Sequence, residues 1–519
     1  MSNIARKCLW FLAAFLGMTV AAVVAHDLYW QRKVAAYRAE LKSKGERLEI
    51  NEVVDRFPPE VYQALDTLLG TMGRSPPNMI LSGAMRMVAP GKAIVGHRQP
   101  VIWAPGDKTT NTWEEMDEQV AGFRSSLAAS RKALLPEQIA ARLDYSQGFS
   151  VLLPQLAPMK GLSQRFACAV MDDLHHDDFP AALTNLLAGL SVPKAIAGEH
   201  FLISELVRIA ISAIMFSATW EALQSPACDD AALVQIAAAC QAQQYFAPVI
   251  RSLELERAMG LDTLKKMRRS QSARVEMIGA LTSGGGGMTA PSGPADFGGL
   301  SQAMETIGNY LKDFSGRVLL GARCLAWRYL WASEDEYYLL HLIQEIIDGA
   351  RAGLKQQALK PCREQEDRVQ QDIEKLAGGN RLDRFLFTRN TVPSWNKAFD
   401  KAAAIEVQKQ LVVAAVAIRR HELRHGRLPA TLDQLMPEFL ASVPRDWMDG
   451  ASLRYRPGTN GQFVLYSVGR DFKDGGGDGA MMDEYKSAHS VLLGKDIVWP
   501  MPATAEEIAE AAKASKGRR

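Results

Sequence analysis

The chain has 519 residues, 47% hydrophobic and 23% charged, which suits a folded protein of about two to four domains and excludes an intrinsically disordered one. Lys plus Arg number 60 against 58 Asp plus Glu, with no dense basic stripe, so the charge gives no argument for a nucleic-acid partner. Six cysteines (Cys8, Cys168, Cys228, Cys240, Cys324, Cys362) lie far apart without a CxxC pair, which argues against zinc-ribbon and thioredoxin-type chemistry. Cys228 with Cys240, or Cys324 with Cys362, would be the pairs to bridge in an exported chain; the preferred reading is ordinary small buried residues.

At the N-terminus, Arg6 and Lys7 precede the uncharged run CLWFLAAFLGMTVAAVVA, Cys8 to Ala25, which as a helix is just long enough to cross a bilayer. Val23-Val24-Ala25 offers small residues for signal cleavage, but the run is long for a signal peptide, and Tyr29 and Trp30 sit where interfacial aromatics belong. An uncleaved signal anchor over residues 1–30 is therefore expected. Arg6 and Lys7 favour a cytoplasmic N-terminus, whereas Arg32, Lys33, Arg38, Lys42 and Lys44 after the run favour the reverse.

Residues 31–70 read as helical with a break at Pro58-Pro59, and 71–112 carry Pro- and Gly-rich loop chemistry. From Trp113 to about Leu281 successive helices are predicted, in a paired rhythm similar to tetratricopeptide-type hairpins but without a clean 34-residue period. Within them, RFACAVMDDLHHDDFPAALTNLLAGLSV reads as helix, polar turn, helix, with Leu183, Leu186, Leu187 and Leu190 on one side of the second. Asp172, Asp173, His175, His176, Asp177 and Asp178 of that turn carry metal-binding chemistry, but a solvated turn is preferred, with Asp177 or Asp178 capping the helix that opens near Pro180. EHFLISELVRIAISAIMFSATWEAL is long and apolar, yet Glu205, Arg208 and Glu221 interrupt it, so a buried core helix is expected rather than a second span.

The helical body thus covers 31–281. Residues 282–299, TSGGGGMTAPSGPADFGG, read as a linker; without a preceding strand or a GK[ST] they make no phosphate cradle. A second helical region spans 300–400, where Trp327, Tyr329, Trp331, Tyr337 and Tyr338 read as core. A spine helix with a small β-containing domain occupies 401–500, and 501–519 form a tail. In that domain SLRYRPGTNGQFVLYSVG, residues 452–469, is a hairpin signal. The fold class expected is mainly α: a membrane helix, a multi-helix body and a small α+β C-terminal domain.

The last hundred residues resemble the globular part of the major (G-type) pseudopilin of type II secretion. The matching features are Leu428-Pro429, Val443-Pro444, Asp446, Tyr455, Gly458, Gly461, Phe463, Tyr466-Ser467, Gly469, Asp471, Gly475-Gly476, Asp496-Ile497 and Trp499, spread over about a fifth of the chain. The resemblance implies calcium in the acidic glycine loop, held by Ser467, Asp471 and Asp496, with Asp474, Asp478 and Asp483 as further local oxygens; Gly lets backbone carbonyls turn toward such an ion. The sequence departs from the family in having Phe472 where a Gly follows the Asp, a long 477–495 segment, and no pilin-type leader on the spine helix, so pilin-like processing is not expected. The whole chain resembles bacterial membrane-anchored envelope proteins with a helical body and a pseudopilin-like end. That resemblance implies an inner-membrane protein with a single span and a periplasmic body, and protein partners in the envelope. It brings no activity with it.

One enzymatic motif competes. RRHELRHGRLP contains His421-Glu422-Leu423-Arg424-His425, the H-E-x-x-H of zinc peptidases, in which two histidines one turn apart hold zinc and the Glu activates water. Arg420 and Arg424 place positive charge beside the site, Gly426 and Pro429 end the helix, and the third ligand would have to come from elsewhere, Glu438 being a candidate. Ile405, Val412, Val416 and Leu423 share a helical face, and His421 and His425 fall on the opposite one, toward solvent. The motif is therefore expected to be a polar helix exit, with no catalytic residue; His421, Glu422 and His425 are the catalytic set of the alternative, a zinc-dependent hydrolase. No GxSxG elbow or Rossmann fingerprint is present.

Overall fold

The computed structural model describes residues 3–72, 86–89, 92–94, 113–282, 318–377, 384–392, 396–458, 461–480, 494–502 and 506; most of the Gly-rich stretch at 282–299, Asp483 and the tail lie outside them. Among the described residues the chain is mainly helical, with an N-terminal apolar helix and a small three-stranded sheet near the C-terminus. Two compact units form, each gathering segments distant in sequence: residues 1–53, 254–347 and 365–396 in the first, and 54–253, 348–364 and 397–519 in the second.

In the first unit, helix α1 (Asn3–Ser43) runs without interruption through the apolar stretch and beyond it. Its window from Trp10 is apolar enough to span a membrane and none of it is buried. Trp10, Phe11, Leu12, Phe15, Leu16 and Tyr29 are exposed, whereas Trp30, Val34 and Leu41 of the same helix are buried. Val34 and Leu41 pack with Leu48, Leu261 and Leu340, and Tyr37 and Tyr337 lie against that cluster. The basic residues after the run are engaged locally: Lys33 Nζ lies over the rings of Trp30 and Tyr337, and Arg38 Nη2 is 2.5 Å from Glu336 Oε1. Of the aromatic stretch, Trp327 is buried and donates its indole N–H to Asp335 Oδ2 at 2.9 Å, while Tyr329 is exposed. The Asp335 carboxylate also accepts the N–H groups of Phe387 and Thr388, so a fully buried charge is met by donors.

In the second unit, Pro58 and Pro59 open helix α2 (Pro59–Thr71), where a missing N–H costs nothing in the first turn. Helices α3 (Trp113–Ala133), α4 (Leu156–His175), α5 (Phe179–Ser191) and α6 (Leu202–Leu223) follow. Met116, Val120, Phe123 and Leu127 give α3 its buried face at helical spacing. Helices α4 and α5 make a tight hairpin, and Leu186 and Leu190 of α5 are buried in it. Helix α6 is the core helix its charges implied: Glu205 is buried against Arg208 at 2.6 Å. Helix α7 (Asp230–Gln241) is capped by Asp229, which accepts from Ala232 N at 2.8 Å. Cys228 and Cys240, the first candidate bridge, are both buried thiols whose ionisation burial pushes up to about 11 and about 12; Cys324 of the other pair is likewise an unbridged buried thiol.

The spine helix, α8 (Asn396–His425), also belongs to the second unit. From Ala402 to Ile418 every residue but Gln410 is buried, so this helix has no solvent face over that stretch. Glu406 Oε1 accepts the N–H groups of Tyr245 and Phe246, Lys409 donates to the carbonyl of Gln243 at 2.8 Å, and Phe399 and Trp447 both pack on Phe246. After it come two antiparallel strands, Arg454–Pro457 and Phe463–Ser467, joined on the second strand's free edge by Ile497–Val498. The hairpin expected over 452–469 is thus present. The Trp220 indole donates to Pro500 O at 2.8 Å, tying α6 to the end of this segment.

Candidate functional sites

Three groups of residues carry chemistry in the second unit: the acidic glycine loop, the exit of the spine helix, and the α3–α4 seam.

In the glycine loop, the three residues implied as calcium ligands each serve a different local structure. Ser467 Oγ donates to Asp446 Oδ1 at 2.7 Å. Asp446, fully buried, also accepts from Met448 N, Val468 N and Arg454 Nη1 at 2.6–3.0 Å. Asp496, also buried, collects the N–H groups of Gly475, Gly477 and Asp478 at 2.7–3.3 Å. Burial pushes its carboxyl above the ordinary range in spite of those three donors. Asp471 closes a surface turn by accepting from Lys473 N, and Asp474 and Asp478 do the same with Gly476 N and Ala480 N. These carboxylates therefore face N–H donors, and among the described residues no three of them bring ligand atoms within 4.8 Å of one another. The glycines are what let the loop close: an added Cβ at Gly475 would lie 2.8 Å from Asp496 Oδ2, and one at Gly469, where φ is +67°, would lie 1.8 Å from the carbonyl oxygen of Lys495.

At the spine-helix exit, the helical-wheel expectation is corrected. His421 is buried and Leu423 is exposed, the reverse of the prediction at these two positions, whereas His425 is exposed and Ile405, Val412 and Val416 are buried as expected. The cause is the return of the chain: Gly426 adopts φ +68°, the 427–429 segment folds back, and Arg427 O takes the Nδ1 edge of His421 at 3.0 Å while Phe439 covers the ring. The rings of His421 and His425 lie with centroids 4.5 Å apart, tilted by 44°, so the two histidines are together. Glu422 is bound to Arg419 at 2.5 Å. Glu438 is drawn by Arg424 at 2.9 Å and approaches His425 Nε2 at 3.7 Å, and it does not complete a three-ligand cluster with the two histidines.

The α3–α4 seam involves the polar turn that the sequence offered chiefly as a cap. Asp178 does cap α5, accepting from Ala181 N at 3.1 Å. Asp172 and Asp173 lie one turn earlier, on the buried side of α4. Arg124 of α3 forks across them, Nη2 to Asp172 Oδ2 at 2.5 Å and Nη1 to Asp173 Oδ1 at 2.8 Å. Asp173 is completed by Asn185 Nδ2 at 2.7 Å, and Asn185 in turn accepts from Arg131. Asp172 is left one-sided. Its Oδ1 is buried, and no N–H or hydroxyl donor reaches it. What faces it are the Asp117 carboxylate and the His176 ring, and ligand atoms of these three residues all lie within 4.8 Å of one another. Burial, with the Asp117 carboxylate beside it, pushes the Asp172 ionisation up to about 7. The backbone bond to Asp172 O raises that of His176.

Sequence reasoning missed Asp117, which comes from another helix. The signal available was its spacing: Asp117 and Arg124 are two turns apart on α3 and so share a face. No protein-family model, curated protein or solved structure matches this chain.

Proposed function

We propose that the chain is a membrane-anchored, non-enzymatic envelope protein, in which a helical body and a pseudopilin-like C-terminal domain serve as a scaffold for protein partners, in association with a secretion- or pilus-type apparatus. The observation that carries this reading is the division of α1: its apolar half is exposed all round, and its second half is packed into the first unit without a break in the helix. Such a helix joins a hydrocarbon-compatible segment rigidly to a folded body. The spine helix, hairpin and closing strand, with Asp446 and Asp496 buried as organisers of their loops, support the C-terminal resemblance. The ion pair of Glu422 with Arg419 supports a structural role for the helix exit, because a general base must be free to meet water.

The test is fractionation. The full chain should stay with membranes through alkaline carbonate washing, and Leu12→Asp with Phe15→Asp should release it. A charge at a span centre costs about 3 kcal/mol on insertion scales, and two such changes outweigh the marginal hydrophobicity of a single anchor. Recovery of the wild type in a soluble fraction, with a new N-terminus near His26, would replace the anchor with a cleaved signal. Proximity labelling from the C-terminus should mark envelope assembly proteins; labelling of cytoplasmic proteins alone would overturn the periplasmic placement.

A further inference from the structure

We propose that Asp117, Asp172 and His176 form a binding site for one transition-metal dication of the zinc class, which clamps α3 to α4. His176 Nδ1 lies 2.9 Å from the carbonyl oxygen of Asp172, one turn back on its own helix. A carbonyl only accepts, so Nδ1 carries the proton and, in the neutral ring, Nε2 carries the lone pair. Metal-bound histidines are held in this way, by a hydrogen bond from the other ring nitrogen.

The second point is where that lone pair points. Nε2 is 3.5 Å from Asp117 Oδ2. Two ligands on a tetrahedral ion with bonds of about 2.1 Å stand about 3.4 Å apart. The pair already has the spacing of one edge of such a polyhedron.

The third is Asp172 Oδ1. It is buried with no donor, and a carboxylate oxygen buried without a donor is costly to leave so. Arg124 occupies the other oxygen of the same carboxylate and so fixes its orientation, leaving Oδ1 on the side of the His176 ring, 3.9 Å from Nδ1, within a group whose ligand atoms and those of Asp117 lie within 4.8 Å of one another. Asp117, Asp172 and Asp173 gather three carboxyl groups around one guanidinium and one imidazole, and so supply oxygen ligands for a dication.

The donor set, one imidazole and two carboxylates, suits zinc and its first-row neighbours better than the all-oxygen cations. Asp117 and His176 are each about half exposed, so the ion is reached from solvent and water completes its coordination. We assign the ion a structural role, joining α3 to α4. The inference is independent of the membrane reading.

The experiment uses the detergent-solubilised full chain without a polyhistidine tag, stripped by chelator and titrated with Zn²⁺ against a chromophoric competitor. Co²⁺ serves as a parallel spectroscopic probe. The wild type should take up one equivalent, with tetrahedral-type visible absorption for Co²⁺. His176→Gln and Asp117→Asn, both at half-exposed positions that the fold should tolerate, should each weaken binding by at least about tenfold. His421→Ala should leave it unchanged. Absence of uptake by the wild type would overturn the proposal, as would equal affinity in both seam variants, or loss of the equivalent in His421→Ala. Circular dichroism of each variant separates lost ligation from lost folding.

Discussion

Glu199 offers a quantitative test of how the second unit is held together. It is buried between α5 and α6, where Gln155 Nε2 donates to Oε1 at 2.7 Å and Ser204 Oγ donates to Oε2. Burial nonetheless dominates and pushes its ionisation from an ordinary 4.5 up to about 7, and the nearby Glu205 adds to the rise. Between those values the folded chain holds a proton that the unfolded chain has released. Stability therefore falls as pH rises through this window and is fully present below it. At about 1.4 kcal/mol per tenfold change, keeping the carboxylate ionised costs the folded state about 3 kcal/mol above neutrality. Glu199→Gln removes the charge and keeps the shape: the amide oxygen still accepts from Gln155, and the Ser204 hydroxyl can turn to accept from the new amide. The variant should match the wild type near about pH 4, below the window, and exceed it by up to about 3 kcal/mol near about pH 8.5. The assay is urea unfolding of the solubilised chain at both pH values, with hydrogen exchange of peptides covering 196–206 to localise the gain. An equal difference between wild type and variant at both values would refute the reasoning, since Glu199 would then ionise as it does in water.

Two further substitutions probe the C-terminal domain. Asp446→Ala strands the Ser467 hydroxyl and the N–H groups of Met448 and Val468 in a buried place, while Arg454 keeps its pair with Asp449. Leaving buried hydrogen-bond donors without a partner costs about 1–3 kcal/mol each, so the variant should lose cooperative unfolding of the domain, read by limited proteolysis after α8; unchanged protease resistance would refute the role assigned to Asp446. Gly469→Ala meets both a left-handed φ of +67° and a backbone oxygen at 1.8 Å. The segment carrying Asp496 should detach, with faster exchange at Gly475, Gly477 and Asp478; a variant with native exchange there would show that the loop closes without that contact.

What the sequence discloses here is local. The uncharged run at Cys8–Ala25, the helix openings at Pro58-Pro59 and Asp178, and the hairpin at 452–469 are patterns of near neighbours, and each is written in a few consecutive residues. The charges in α6 marked it as a core helix for the same reason: Glu205 and Arg208 sit one turn apart and can pair within the helix that carries them. The pseudopilin-like spacing named Asp446, Ser467 and Asp496, but not that each is held by donors within its own loop.

The tertiary structure decided everything that depends on which segments meet. A helical wheel places His421 opposite the apolar face, yet the chain that turns back after Gly426 buries it and leaves Leu423 outside. The turn around His176 reads as solvated until α3 brings Asp117 and Arg124 against it. Trp220 and Pro500 are 280 residues apart and share a hydrogen bond. Periodicity and capping follow from the geometry of one helix or strand and are fixed by adjacent residues. Burial and pairing between distant segments follow from how those elements fill space against one another, and no single stretch of sequence contains both sides of such a contact.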